Sequence, residues 1–410
     1  MSNHLAIDGG NPVRGEPFPA WPVFDEREER HLRDVLQSGQ WGVLAGNKVH
    51  EFEQRFAEFQ GARFGVCVPN GTLGLEMALR ALGVGPGDEI ITTPYTFIAT
   101  VSAVLLAGAT PVLVDIDLDT YNLDPAQVAK AVSERTKAIL PVHLGGQPAD
   151  MDALLVIARR HGLQVLEDAC QAWGAEWRGQ RVGAIGDLGA FSFQSSKNIT
   201  AGEGGIVITN DEELADLCWS LHNVGRVKGG LWYQHERLGW NLRMTEWQGA
   251  VLLAQIERLP EQADRRETSA HYLSQSLSQV PGIEPLPANP RVTRHARHLF
   301  IMCYDPAAFG GRGRDEFIAA LRAEGIEPCS PGYVPLNHSP AIRRALAERG
   351  PADDASWTVD DAGLPILPAC PNAEYASQHT IWLFQYALLG SRSDMDSIVE
   401  AMTKIQQAWG

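Results

Sequence analysis

Short apolar runs alternate with amphipathic stretches over residues 64–209. Phe64-Gly65-Val66-Cys67-Val68, Glu89-Ile90-Ile91-Thr92-Thr93, Thr110 to Asp117, Ala138 to His143 and Val165-Leu166-Glu167-Asp168 each have the length and composition of a buried strand. Apolar positions at helical spacing predict helices near 73–82, after Phe97 to Ala107, and at 151–161. Strands alternating with helices at this interval predict an α/β fold with a doubly wound, largely parallel sheet. Upstream lie a Gly- and Pro-rich extended arm to Trp21-Pro22, a helix over 25–38 stopped by Gly39, and a helix over 49–59. Downstream come the apolar run Ile206–Thr209, a helix over 212–221 and a polar loop to Met244. Thr245-Glu246 caps a long helix that Pro260 is expected to interrupt before it resumes to 277. A strand at 298–304, helices at 314–324 and 395–408, and an extended piece at 331–335 read as a smaller α+β unit. The expected division is 1–260 for the arm and large domain, and 261–410 for the small C-terminal domain.

Composition narrows the function. The 410-residue chain is 44% hydrophobic and 20% charged, as in ordinary globular proteins, and is long enough for two cores. A net charge of −16 with a pI near 5.2 argues against nonspecific nucleic-acid binding. The six cysteines are scattered, with no metal-type spacing, so no metal site is expected and the thiols read as reduced and cytoplasmic. No secretory leader pattern and no membrane-length apolar run is present.

The candidate chemistry gathers at strand ends, where doubly wound sheets bind ligands. Asn70-Gly71-Thr72 joins a strand to a helix N-terminus, which makes either an anion cradle or an ordinary helix cap. Phe97, His143 and Asp168 fall at or just after other strand ends. The segment Gly189 to Gly205 sets Lys197 among Ser192, Ser195, Ser196 and Thr200, with a glycine turn after it. Lys197 is then either a surface loop lysine or a Schiff-base lysine activated by desolvation. A phosphate cradle, a lysine nucleophile, a strand-end aspartate and an aromatic plate together match the needs of pyridoxal 5′-phosphate.

In these motifs, with Pro94-Tyr95-Thr96-Phe97, Pro141-Val142-His143, Glu167 to Gln171, Gly202-Glu203-Gly204-Gly205 and Gly239 to Met244, the chain resembles the DegT-type aminotransferases of amino sugars and aminocyclitols. The resemblance covers nearly the whole chain. It implies the fold-type I architecture of pyridoxal-phosphate enzymes: a mixed, mainly parallel sheet flanked by helices, plus a smaller C-terminal α+β domain. It implies that Lys197 bonds to the cofactor, that Asp168 pairs with the pyridine nitrogen, that Gln171 sits against the ring face or its 3′-oxygen, and that Phe97 stacks on the other face. Gly71, Thr72 and Ser192 would hold the phosphate. Asn241 would reach it from a partner subunit with Arg243 near, so a homodimer with shared sites is expected.

The implied reaction moves an amino group from L-glutamate or L-glutamine to a ketone of a cyclitol or sugar. Lys197 would shuttle the proton. A nucleotide-linked keto sugar is the alternative acceptor. A dehydratase or lyase, which some relatives become with histidine at the lysine position, and a non-catalytic regulator that binds the cofactor are further rivals. Trp41 in its glycine loop, His143 and Arg243 are candidate substrate contacts, with packing or salt bridging as the plainer role of each.

Overall fold

The structure is a computed structural model that describes residues 4–350 and 358–410. Its strands are β1 (Phe64–Val68), β2 (Glu89–Thr92), β3 (Thr110–Leu113), β4 (Thr136–Ile139), β5 (Gln164–Asp168), β6 (Glu176–Trp177), β7 (Gln180–Arg181), β8 (Leu188–Ser192), β9 (Gly205–Thr209), β10 (Ile283–Pro285), β11 (Val292–Arg294), β12 (Leu299–Tyr304), β13 (Cys329–Pro331) and β14 (Thr380–Phe384). Seven of them make the main sheet, in the order β1-β9-β8-β5-β4-β2-β3. The pairs β3–β2, β2–β4, β4–β5 and β5–β8 are parallel, while β9 runs antiparallel to both β8 and β1. The sheet is therefore mixed and mainly parallel, as expected.

Strand alternation explains the layers. Cys67, Ile91, Ile139, Val165, Phe191 and Ile206 point to one face, where they pack with Phe52, Phe56, Leu252 and Leu253. Val66, Ile90, Ala138, Leu166, Ala190 and Val207 point to the other and meet Leu75, Leu79, Val104 and Leu221. Both faces are covered by helices, which is why these strands read as continuous apolar runs.

A second sheet, β10-β12-β14-β13, is antiparallel and carries its own core of Phe300, Met302, Phe317, Leu321, Ile381, Leu383 and Ile398. The helix Glu246–Leu277 links the two units, with Leu252 and Ile256 in the first core and Leu273 and Leu277 in the second. It runs unbroken for 32 residues through Pro260, contrary to the expected interruption. Proline costs the helix one backbone bond, and packing at both ends holds the rest. The arm also departs from expectation. Leu5 belongs to the second core, Ala6 and Val13 donate their N–H groups to Glu324, and Arg14 pairs with Asp394. The arm's first described residues thus lie on the C-terminal unit, not on the large sheet. Residues 1–3 lie outside the described residues. Among the described residues no helix is long and apolar enough to cross a membrane.

Candidate active site

A cavity of about 770 Å³ opens at the carboxyl ends of the parallel strands. Lys197, Asp168, Gly71, Thr72, Phe97, Gln171 and Ser192 all line it.

The cradle forms where β1 passes into the helix Gly71–Ala81. Asn70 caps that helix by accepting from the Leu73 N–H at 3.0 Å. The cap leaves the first-turn N–H groups of Gly71 and Thr72 without intrahelical partners. Packing here is tight. A Cβ on Gly71 would sit 2.9 Å from Cys170 Sγ and 3.0 Å from Ser192 Cβ, and one on Gly205 would sit 2.7 Å from the Asn70 carbonyl carbon. Only glycine lets the start of β9 lie against this turn.

Asp168 ends β5 and is almost fully buried. Its Oδ2 accepts from Thr100 Oγ1 at 2.8 Å and its Oδ1 from the Cys170 N–H at 3.2 Å. Thr96 Oγ1 lies 3.0 Å from Thr100 Oγ1 and steadies it. Gln171 accepts from the Gly145 N–H at 2.7 Å, and its Nε2 donates to the Tyr333 hydroxyl at 3.1 Å. Burial pushes the Tyr333 phenol up to about 12, so it stays protonated and keeps its own O–H free to donate.

The lysine stands on a closed loop. The Phe193 N–H donates to the Gly204 carbonyl, while the Ala201 N–H and the Thr200 hydroxyl both donate to the Phe193 carbonyl. Asn198 Nδ2 ties the loop to the Ala296 carbonyl at 2.7 Å. Lys197 Nζ lies 5.9 Å from the Trp173 ring centroid. Among the described residues no hydrogen bond or ion pair holds it. Burial pulls the ammonium below its ordinary 10.5, outweighing the nearby Asp168 carboxylate. An unheld, desolvated amine beside a carboxylate is chemically poised, unlike a surface lysine.

Four expected residues lie elsewhere. His143 is a correction: it is fully buried away from the cavity. Its Nδ1 accepts from the Ala149 N–H at 3.0 Å and its Nε2 bonds Glu167 at 2.9 Å, so its position after β4 fills the core. Trp41 does not line the cavity either; it packs on Trp247 with centroids 5.6 Å apart. Asn241 and Arg243 also stand outside this chain's cavity. Asn241 bridges Asn223, and Arg243 donates to Asn223 Oδ1 at 2.9 Å. Conversely, Thr100, Cys170, His298, Tyr333, Trp382 and Phe384 line the cavity without having been singled out. The last four come from the C-terminal unit, where no local motif marks them; Thr100 is signalled only by its spacing, one helical turn from Thr96.

This geometry has known counterparts. The chain is 41% identical over 415 residues to a Streptoalloteichus tenebrarius protein provisionally named L-glutamine:3-amino-2,3-dideoxy-scyllo-inosose aminotransferase, covering 99% of each. It is 38% identical to the L-glutamine:2-deoxy-scyllo-inosose aminotransferase of the same organism, over 100% of this chain and 99% of that one. The crystal structure of 3-amino-5-hydroxybenzoic acid synthase superposes with a TM-score of 0.86 at 35% identity, covering 96% of this chain and 99% of that one. The family model of the DegT/DnrJ/EryC1/StrS aminotransferases matches residues 22–403, from just after Trp21 into the terminal helix. The chain is thus an aminotransferase and belongs to the DegT/DnrJ/EryC1/StrS aminotransferase family.

Proposed function

We propose that this aminotransferase uses pyridoxal 5′-phosphate held at Lys197 to move the amino group of L-glutamine onto a ketone of a cyclitol. The observation that carries this is the unheld, desolvated Lys197 amine in one cavity with Asp168 and the open N-terminus of the helix Gly71–Ala81. The donor set fits the cofactor. Gly71 and Thr72 offer N–H groups and Ser192 a hydroxyl to its phosphate, and the close approach at Gly71 and Gly205 keeps the cradle open to the cavity. Phe97 and Gln171 would flank the ring. When bound, the cofactor supplies an electron-poor ring that lets a C–H bond beside nitrogen ionise.

The chain's own residues do the rest. Asp168, fixed by Thr100 and the Cys170 N–H, offers a negative charge to a protonated ring nitrogen. Lys197 is biased toward its neutral amine by burial, so its Nζ can take a proton from the donor's α-carbon and return one later. Two relatives named for L-glutamine and scyllo-inosose substrates support the choice of donor and acceptor. We take the working unit to be a cytoplasmic homodimer in which Asn241 and Arg243 serve the neighbouring copy's cavity. Their position outside this chain's own cavity supports that assignment, and six unpaired cysteines fit a reducing compartment.

A second reading has its own support: identity of 37% over 395 residues to the 3-amino-5-hydroxybenzoate synthase of Amycolatopsis mediterranei. The test is to load the protein with pyridoxal 5′-phosphate, add L-glutamine, and follow the cofactor's absorbance. Challenge with 2-deoxy-scyllo-inosose, a nucleotide-linked keto sugar or phenylpyruvate then follows. Amine formation on the cyclitol is expected. Preference for phenylpyruvate, an aromatic product, or no spectral response to any amino donor overturns the proposal.

A further inference from the structure

We propose that His298 determines acceptor specificity, its proton-free Nε2 receiving a hydrogen bond from a hydroxyl of the cyclic ketone; this rests on the aminotransferase reading above. His298 precedes β12 and brings the C-terminal unit to the cavity wall. Its tautomer follows from its neighbour. Asn198 Nδ2 donates to the Ala296 carbonyl at 2.7 Å, so the amide cannot turn over without setting oxygen against oxygen. The Asn198 end that meets His298 Nδ1, at 3.1 Å, is therefore the carbonyl Oδ1. A carbonyl only accepts, so Nδ1 carries the proton and Nε2 is bare.

The ring also stays neutral. Burial holds it well below its ordinary range, and the Arg266 guanidinium, with any charge left on Lys197, pushes the same way. Its edge contact with Trp173, at 5.6 Å, fixes the ring plane. The same Trp173 ring lies 5.9 Å from Lys197 Nζ, so His298 stands within a substrate's reach of the reacting amine. A neutral, acceptor-only nitrogen repels a carboxylate or a carbonyl oxygen and binds an O–H or N–H donor. Polyhydroxylated ketones carry such donors around the ring. The carboxamide of glutamine carries one too, and the two half-reactions tell them apart.

His298→Phe keeps a flat ring against Trp173 and removes the acceptor. The expected result is a donor half-reaction with L-glutamine within about threefold of wild type, and a kcat/KM for 2-deoxy-scyllo-inosose lowered about 10- to 100-fold, mainly through KM. Cyclohexanone, which has no hydroxyl, should react equally with both enzymes. Equal losses in both half-reactions, loss with glutamine alone, or no loss at all overturns the proposal. A thermal melt of the variant separates misfolding from these outcomes. Independently of activity, nitrogen-15 NMR of the wild-type protein should find His298 protonated at Nδ1 alone; a proton on Nε2 overturns the proposal even if the variant does not fold. A wild-type enzyme that fails to react with any amino donor sinks the aminotransferase chemistry instead, and the NMR result still decides the state of His298.

Discussion

Glu167 and Asp168 are adjacent carboxylates on β5 whose side chains point to opposite faces. One should govern stability and the other chemistry. Glu167 is fully buried. Its Oε1 accepts from the N–H groups of Ile185 at 2.8 Å and Gly186 at 2.6 Å, and its Oε2 from Gly183 N–H at 2.7 Å and His143 Nε2 at 2.9 Å. Glu167→Gln replaces one of these oxygens with an NH₂ group. Whichever way the amide turns, two donors lose their acceptor and face another donor. Hydrogen bonds to a charged group contribute roughly 1.5–3 kcal/mol each, so the loss should be about 3–6 kcal/mol. A typical domain has only about 5–15 kcal/mol of stability. Asp168→Asn disturbs less: two donors reach this carboxylate, one of them the rotatable Thr100 hydroxyl. Its cost should stay near 1 kcal/mol. Urea unfolding of cofactor-free protein, followed by circular dichroism, measures both. In the loaded enzyme the order reverses. Folded Glu167→Gln should deaminate glutamine at a near-normal rate, while Asp168→Asn should slow it by about a hundredfold or more. A Glu167→Gln protein within 1 kcal/mol of wild type, or an Asp168→Asn protein that melts while keeping its rate, refutes the reasoning.

Three further outcomes follow from the same geometry. Gly205→Ala drives a Cβ to 2.7 Å from the Asn70 carbonyl carbon and 2.8 Å from the Gly71 nitrogen; it should cost about 1–3 kcal/mol and weaken cofactor binding in an absorbance titration, and unchanged binding would count against the cradle. Because burial lowers the Lys197 pKa, the unfolded chain binds more protons between the folded value and 10.5, so cofactor-free stability should rise with pH across that window. Lys197→Met should flatten that rise when urea midpoints are compared against pH, and identical slopes would remove the desolvation argument. Mixing Lys197→Ala chains with Asn241→Ala chains should restore part of the activity, since one site of a hybrid dimer receives both intact residues; hybrids that form yet stay inactive mean that each site is built from one chain.

Much of the large unit was legible because its strands are buried on both faces and its glycines mark real turns. The helix predicted at 151–161 is Met151–His161, and the cradle, Asp168 and Lys197 meet in one cavity. His143 misled because a strand-end position suits both a ligand contact and a core group. Only the positions of Glu167 and the Ala149 N–H decide between them, and neither is visible in local sequence. Pro260 misled because a local rule was overruled by packing at two ends of one helix. The strand Thr380–Phe384 went unassigned, although it is central in the second sheet and brings Trp382 and Phe384 to the cavity. Its partners β12 and β13 lie dozens of residues away, so nothing nearby announces it.

That division has a chemical meaning. The residues that fit the cofactor come from the first unit, on turns whose sequence is fixed by close backbone approach: Gly71, Asp168, Ser192 and Lys197. The opposite wall comes from the second unit, as His298, Tyr333, Trp382 and Phe384, and here side-chain chemistry rather than backbone shape sets the surface. Tyr333 offers a proton, because Gln171 already donates to its oxygen and burial keeps the phenol protonated. His298 offers a lone pair at Nε2, because its Nδ1–H donates to Asn198 Oδ1. A wall with one donor and one acceptor, set among aromatic faces, suits a ring that carries both a carbonyl and hydroxyls. It suits an apolar keto acid poorly, since both polar groups would be left unpaired. In the proposed homodimer a further wall would come from the second copy, since Asn241 and Arg243 do not line this chain's own cavity. The loop that leads to Asn241 exposes Leu231, Trp232, Tyr233 and Leu238, apolar side chains that the proposed second copy would cover while bringing Asn241 and Arg243 toward the first copy's site. On the proposed function, the cofactor would rest mainly on the first unit, and the choice of ketone on a wall of the second unit that only the folded chain brings to the same cavity.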